Sequence, residues 1–558
     1  MSKRIGYFLA VILLLIGAGL RLYQLPTLPP GFSNDEVDTL LITETARAGS
    51  VRVFYNLRGE GHEGLYPAIL AASTSMTGGG LLGYRIISVL AGLLSLAMIY
   101  ALGQRLFGTA AALAAVALSA VSLFPVLLSR GVTRETLLPF YISGTLLTLA
   151  RALPIYGIQE AREPRTTTFA ALATLLGLGF YLHPISLVFS LAMMVFIAYM
   201  LLTRQPISRR ALSSLWFAVV VMIVLATPYV IASFGTPDLA GAGRLLYDSS
   251  DSPRQMSLIE SLTRGLGGVF LSGDNDPLFN LPGRPMIDVV SGLLLLIGVV
   301  TAVRYWRQPR CALLLISVIF LLPLAVFARR SPNFLAFSAL LPVLALLYGL
   351  GVVTLYHSLQ KRTRFVVIIA VAGITVFNIV WTGGSLFNEW RDHPQVRDSY
   401  NARLGELAHH IDVTSTDIST VVCDPAVGSI DLRNTLNDTQ IMFLMMHRQN
   451  APIRAINCEL ALILPNGGEY MQVIQPNPRG TIDVSPFLQH WYDTGLPPSE
   501  DLPDGAIPIE MVAALADQIG AFTTTAPLSF APESPGGEQV TAPPVRMGAN
   551  LTFLGYEQ

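Results

Sequence analysis

Charge is scarce in this sequence. Asp, Glu, Lys and Arg make up 13% of its 558 residues, against about 25% in soluble domains. Lys plus Arg number 36 and Asp plus Glu 37, a formal net charge of −1. No basic excess exists to hold a phosphate backbone, which argues against a nucleic-acid partner. Cysteine is scarcer still, with only Cys311, Cys423 and Cys458. Three cysteines make neither a disulfide scaffold nor a zinc site, and no strong metal-ligand cluster stands elsewhere. An internal repeat is also lacking.

What the chain has is apolar surface. Hydrophobic residues are 52% of it and the mean hydropathy is +0.54, so lipid is the simplest place for the excess. At the start, Lys3-Arg4 precede an apolar run, Ile5 to Leu20. A cleaved signal peptide has that order but a shorter apolar core and a small-residue cleavage site. Here Arg-Leu-Tyr-Gln-Leu-Pro follows, so the run reads as an uncleaved first span with a cytoplasmic N-terminus.

About 20 apolar residues cross a bilayer. The spans expected are 5–25, 82–103, 109–128, 134–153, 166–182, 184–203, 210–232, 286–304, 311–328, 332–357 and 364–382. The run 65–76 is short and ends in Thr77-Gly78-Gly79-Gly80. With that run on the outer surface as an interfacial helix, every basic loop becomes cytoplasmic: Arg105, Arg151 to Arg165, Arg204 to Arg210, Arg304 to Arg310 and Lys361 to Arg364. Counting it as a span would put all of them outside. Eleven spans therefore fit, in a multi-pass protein of the plasma membrane with everything after about 384 outside. Of the acidic residues before 384, only Glu160 and Glu163 fall on the cytoplasmic side.

The fold class expected is a mainly α integral membrane protein with a small α/β C-terminal domain. Residues 1–384 form the membrane domain, with outer loops at 26–81 and 233–285. In the second loop, 255–271 reads as another interfacial helix, with Met256, Ile259, Leu262 and Leu266 on one face. GDNDPLFNLPGRP follows, rich in turn formers. Residues 385–494 alternate short apolar runs with helical stretches, and Cys423 and Cys458 lie beside two such runs, where a disulfide or two thiols both fit. Residues 495–558 are a Pro-rich linker and a terminal strand near 545–556.

The stretch 21–67 carries the first candidates. Pro29-Pro30-Gly31 is a turn that delivers Asp35-Glu36 just past the first span. A carboxylate there can take a proton from an acceptor hydroxyl, bind a metal, or simply face water. His62-Glu63 precede the interfacial run, and His183 sits at another outer turn with Glu135 at a third. The outer arginines break the rule that fixed the topology: Arg85, Arg130, Arg134, Arg329 and Arg330. A charge at membrane depth needs a partner, and phosphate matches guanidinium with paired hydrogen bonds. Lipid headgroups or Glu135 are the plainer partners. A lipid phosphate-sugar would set its phosphate on these arginines, which would stabilise it as a leaving group.

RLYQLPTLPPGFSNDE, HEGLYPAIL and YRIISVLAGLLSLAMIYALGQRLFG, in that order, resemble the GT-C superfamily of polyprenyl-phosphate-sugar-dependent glycosyltransferases. The nearest branch holds protein O-mannosyltransferases and the lipid A aminoarabinose transferase. The resemblance covers roughly residues 5–350 and is most specific over 21–108. It implies a bundle of eleven or more spans, a large first outer loop and an outer C-terminal domain. It also implies one inverting displacement from a polyprenyl-phosphate-sugar donor to a protein, lipid or glycan acceptor. Asp35 takes the place of the loop acid and implies the general base, with Glu36 beside it and Glu135 as the second acid. His62-Glu63-Gly64-Leu65 resembles a donor-contacting element but lacks its paired prolines and lysine; substrate contact is expected of His62 and Glu63, and of His183 as a residue that can face the same site. Arg329-Arg330 resembles the late basic site for the lipid phosphate. Members of the superfamily differ in their need for a divalent metal.

Two other functions compete with transfer. A flippase for a lipid-linked sugar would bind near the bilayer midplane, commonly with repeats, whereas the charges here lie at one face. A catalytically dead, glycan-binding relative would look the same in sequence.

Overall fold

The computed structural model describes residues 3–57, 60–155, 166–235, 257–328, 331–415, 419–424 and 437–448, and beyond these 453–456, 470–476, 492–493, 503, 506–511, 545–547 and 551–553. The chain divides into two compact units. One comprises Met1–Asp412 and Asp431–Asn450, the other Val413–Ile430 and Ala451–Gln558.

The first unit is helical. It opens with α1 (Lys3–Leu22), α2 (Asn34–Arg47), a hairpin of β1 (Phe54–Leu57) and β2 (Glu60–Glu63), and α3 (Leu65–Thr77). There follow α4 (Gly80–Phe107), α5 (Thr109–Val121), α6 (Leu123–Leu128), α7 (Leu138–Ala152), α8 (Thr166–Gly179), α9 (Ile185–Leu202) and α10 (Arg209–Gly235). Next are α11 (Leu258–Phe270), α12 (Val289–Arg304), α13 (Pro309–Val326), α14 (Leu341–Ser358) and α15 (Arg364–Gly384). A π-helical turn, Ser385–Trp390, leads into α16 (Pro394–Ser399), α17 (Ala402–Thr414) and α18 (Asp438–Met445).

Among the described residues, seven helices are long and apolar enough to cross a membrane, and α5, α8 and α12 are shorter apolar helices. Each of the eleven expected spans contains a helix. Eleven full crossings are not reached on length, because α5, α7, α8 and α12 have 13, 15, 14 and 16 residues. The run placed on the surface is α3, of 13 residues; at 1.5 Å per residue it is about 20 Å long, short of the roughly 30 Å hydrocarbon core. α11 fills the second expected interfacial helix, with Leu258, Ile259, Leu262 and Leu266 exposed; Met256 lies outside the described residues.

Small residues let the helices close up. A Cβ on Gly298 of α12 would lie 1.8 Å from Leu347 O, and one on Gly351 of α14 would lie 1.9 Å from Leu294 O. Without a hydrophobic force between helices in lipid, such backbone approach supplies the packing. The basic ends are cross-tied. Arg105 Nε donates to Ala150 O (2.6 Å), Arg310 to Leu106 O (3.3 Å), and Tyr199 Oη to Arg307 O (2.9 Å). The opposite end carries α2, α3, the β1–β2 hairpin and the loop after α11.

The second unit holds a five-stranded sheet in the order β4-β3-β5-β7-β6. Its strands are β3 (Ser419–Cys423), β4 (Ile453–Ile456), β5 (Tyr470–Ile474), β6 (Tyr492–Asp493) and β7 (Ala506–Met511). β3 pairs parallel with β4 and β5, and β7 pairs antiparallel with β5 and β6. The apolar run ending at Cys423 is β3, with Val421 and Val422 fully buried. Cys423 is disulfide-bonded, Cys311 is a free buried thiol, and Cys458 lies outside the described residues. The expected terminal strand is a two-stranded ribbon of β8 (Val545–Met547) and β9 (Leu551–Phe553).

Candidate active site

The turn before α2 is built by its own side chains. Ser33 is the N-cap and Glu36 the third residue of the helix, and they form a reciprocal capping box. Ser33 N–H donates to Glu36 Oε2 at 2.8 Å, and Glu36 N–H donates to Ser33 Oγ at 3.4 Å. The box satisfies two donors that a helix start leaves open. Glu36 does a second task. Its Oε1 accepts the Val132 N–H at 2.7 Å, so α2 is bolted to the turn between α6 and α7. Burial pushes the Glu36 carboxyl above the usual carboxylate range, against the opposing pull of Arg85 and of the donors from Ser33 and Val132.

Asp35 differs from its neighbour. It is exposed where Glu36 is buried, and it lines a cleft of about 650 Å³ with Asn34, Asp274, Asp276, Asn333 and Ser399. It stands in the first turn of α2. Asp274 is committed to structure, because its oxygens accept the N–H groups of Asp276 (2.9 Å) and Phe334 (2.8 Å). Asp276 Oδ1 accepts the Leu278 N–H at 3.0 Å in an Asx turn. The sequence reading did not single out Asp274, Asp276, Asn333 or Ser399. Its only signal was the density of turn formers in GDNDPLFNLPGRP.

Two of the outer arginines face the backbone. Arg85 is fully buried and donates to the carbonyls of Leu25 (3.1 Å), Pro29 (2.9 Å) and Gly31, with Phe32 under its guanidinium. Arg130 is buried too and donates to Leu20 (2.9 Å), Arg21 (3.0 Å), Tyr23 (3.0 Å) and Leu28 (2.6 Å). Apart from Arg85 Nε, which has no partner among the described residues, their N–H groups are given to carbonyls of the last turn of α1 and of the loop that follows it, where the sequence suggested a phosphate. Arg329 and Arg330 lie outside the described residues.

Glu63, Arg134, Glu135 and His183 come together as one network. Arg134 is ion-paired with Glu63 and, at 3.4 Å, with Glu135. Ile185 N–H donates to His183 Nδ1 at 3.1 Å. The neutral ring therefore carries its proton on Nε2, which donates to Glu135 Oε1 at 3.2 Å. Tyr66, hydrogen-bonded to Ser88 at 2.9 Å, lies in the field of both Glu36 and Glu135. His62 pairs across the hairpin with Tyr55 and is half-buried. Among the described residues no group of three or more His, Cys, Asp or Glu side chains is arranged to hold a metal ion.

Comparison with known proteins adds the following. Residues 64–231 match the family model described as dolichyl-phosphate-mannose-protein mannosyltransferase. No curated protein matches the chain. Among solved structures, ArnT from Cupriavidus metallidurans bound to undecaprenyl phosphate is 14% identical, covering 92% of this chain and 98% of that one, with a TM-score of 0.49. The archaeal oligosaccharyltransferase AglB from Archaeoglobus fulgidus, in complex with an inhibitory peptide and a dolichol-phosphate, is 12% identical over 85% of this chain and 69% of that one (TM-score 0.48). The S. cerevisiae protein O-mannosyltransferase Pmt1-Pmt2 complex bound to the sugar donor is 16% identical over 45% and 38% (TM-score 0.32). The resemblance to the GT-C superfamily of polyprenyl-phosphate-sugar-dependent glycosyltransferases, read first from three stretches of sequence, is borne out by the mannosyltransferase family match over residues 64–231.

Proposed function

We propose that this integral membrane protein moves a single sugar from a polyprenyl-phosphate carrier to a hydroxyl acceptor, at the outer face of the plasma membrane and with inversion. The observation that carries the reading is Asp35: an exposed carboxylate in the first turn of α2, beside a cleft of about 650 Å³. Asp35 takes the proton of the acceptor hydroxyl as that oxygen bonds to the anomeric carbon. The bond from that carbon to the phosphate oxygen breaks, and polyprenyl phosphate leaves with the electron pair. Glu36 serves by holding the turn that presents Asp35.

Phosphate recognition falls to Arg134, Arg329 and Arg330. Two carboxylates, Glu63 and Glu135, already share Arg134, so a phosphate there needs a further positive charge. His183 and Glu135 orient Arg134, while Glu63 and His62 border the same region of the first loop. Divalent-metal need differs among similar enzymes, and the reading uses none. The N-terminus is cytoplasmic in this scheme and the β-sheet unit extracytoplasmic; the acceptor is a protein, lipid or glycan.

The test is transfer of label from polyprenyl-phosphate sugars by purified protein, wild type against Asp35→Asn. The variant is expected to lose at least about a hundredfold in rate, the low end for a lost general base. Undiminished transfer would remove Asp35 from the chemistry.

A further inference from the structure

The stretch from Trp390 to Gly405 touches both walls of the cleft. On one side Trp390 Nε1 donates to Pro277 O at 2.8 Å, and Tyr400 Oη donates to Leu278 O at 2.7 Å. Those carbonyls stand one and two residues after Asp276. Leu278 is therefore gripped from both directions, its N–H by Asp276 and its C=O by Tyr400. On the other side Asn401 Nδ2 donates to Phe32 O at 2.9 Å, three residues before Asp35. Ser399, immediately before Tyr400, lines the cleft itself.

The backbone is fitted to this task. Gly31 and Gly405 close the approach, since a Cβ on either would lie 2.2 Å from the carbonyl oxygen of Tyr400 or Pro30 respectively. Asn401 has φ +50, a left-handed conformation that Asn tolerates better than most residues. Trp390 and Tyr400 are buried, and their rings meet edge to face at 5.5 Å. Phenylalanine would fill the same space. What the tyrosine adds is one hydroxyl, and that hydroxyl is spent on the Asp276 turn.

We propose that Tyr400, Trp390 and Asn401 form a clamp that fixes the Asp35 turn against the Asp276 turn, and so sets the width at which an acceptor hydroxyl meets Asp35. All three are positioning residues. Their effect on transfer rests on the reading of Asp35 given above; the clamp itself does not.

Hydrogen exchange on the full chain in lipid nanodiscs tests the coupling, using Tyr400→Phe and Asn401→Gly. Each variant removes one grip, and glycine keeps the φ of residue 401. In either variant the amides of 31–37 and of 275–280 are expected to exchange together, roughly fivefold faster, the scale of one lost hydrogen bond. Amides in α14 should not change. Acceleration of only the turn that lost its own partner, or of the whole bundle equally, would overturn the clamp. Kinetics with labelled polyprenyl-phosphate mannose and a threonine-containing peptide as probes should show the peptide KM rising by a similar factor at constant donor KM. A fall in apparent kcat with both KM values unchanged would mean only lost folded protein and would count against the clamp. Asp35→Asn separates the two ideas. Full transfer by that variant with coupled exchange in Tyr400→Phe would sink the base and leave the clamp. Dead Asp35→Asn with uncoupled exchange would do the reverse.

Discussion

Glu36 Oε1 and Val132 N–H are joined by a 2.7 Å hydrogen bond across 96 residues of chain. The second oxygen of the same carboxyl closes the capping box of α2 on Ser33. One buried side chain therefore fixes where α2 begins and what it leans on. Replacing Glu36 by Ala leaves two buried N–H groups without partners, at about 1–3 kcal/mol each. Thermal unfolding in detergent should show a loss of about 3 kcal/mol. A wild-type Tm for Glu36→Ala would contradict the bolt.

The same carboxyl sets a pH dependence. Burial raises its pKa above the unfolded value, so the folded state holds its proton more tightly than the unfolded chain. Its contribution is fully present below the ordinary carboxylate pKa of about 4.3 and is lost as pH rises through the raised folded value. The slope of Tm against pH just above the ordinary range should be negative for wild type and flatter for Glu36→Gln. Equal slopes would mean that Glu36 does not titrate between the two states.

Arg134 is the counter-charge for a nearly inaccessible acid, since Glu63 is 3% exposed. Arg134→Ala strands that carboxylate, which costs about 3–5 kcal/mol for a buried pair. Adding Glu63→Ala removes the stranded charge and should return part of the loss. The double-mutant cycle measures this coupling in stability, and additive losses would show that the pair is not coupled.

Gly31 meets the carbonyl of Tyr400 where a Cβ would stand 2.2 Å from it. Gly31→Ala should cost about 1–3 kcal/mol, the scale of an overpacked core, and lower transfer along with it. Chemical denaturation of Gly31→Ala against wild type reads the stability; a neutral result would mean that the loop can shift away freely.

Much of the helical plan was legible because apolar length is a strong signal. Every expected span holds a helix; α3 sits where a short apolar run and the charge of the loops indicated, and α11 where one apolar face did. α2 is hard to see in the sequence. Its pattern, NDEVDTLLITETAR, carries only a weak apolar stripe, and its start signal, Ser33 with Glu36 three residues on, is masked by the adjacent carboxylates Asp35-Glu36. Arg85 and Arg130 were legible as anomalies but not as to partner. Guanidinium suits phosphate and clustered carbonyls alike, and the carbonyls come from a loop whose path only folding reveals. Asp276 gave no signal because its importance comes from position across the cleft from Asp35.

Arg85 and Arg130 together receive the carbonyls of seven residues between Leu20 and Gly31. Irregular backbone at membrane depth is tolerated only where protein or a water-filled cavity satisfies it. Here two side chains stand in for a hydration shell. The path from α1 to the turn that carries Asp35 is thus set from two remote points of the bundle, α4 and the turn after α6, rather than by the loop's own residues.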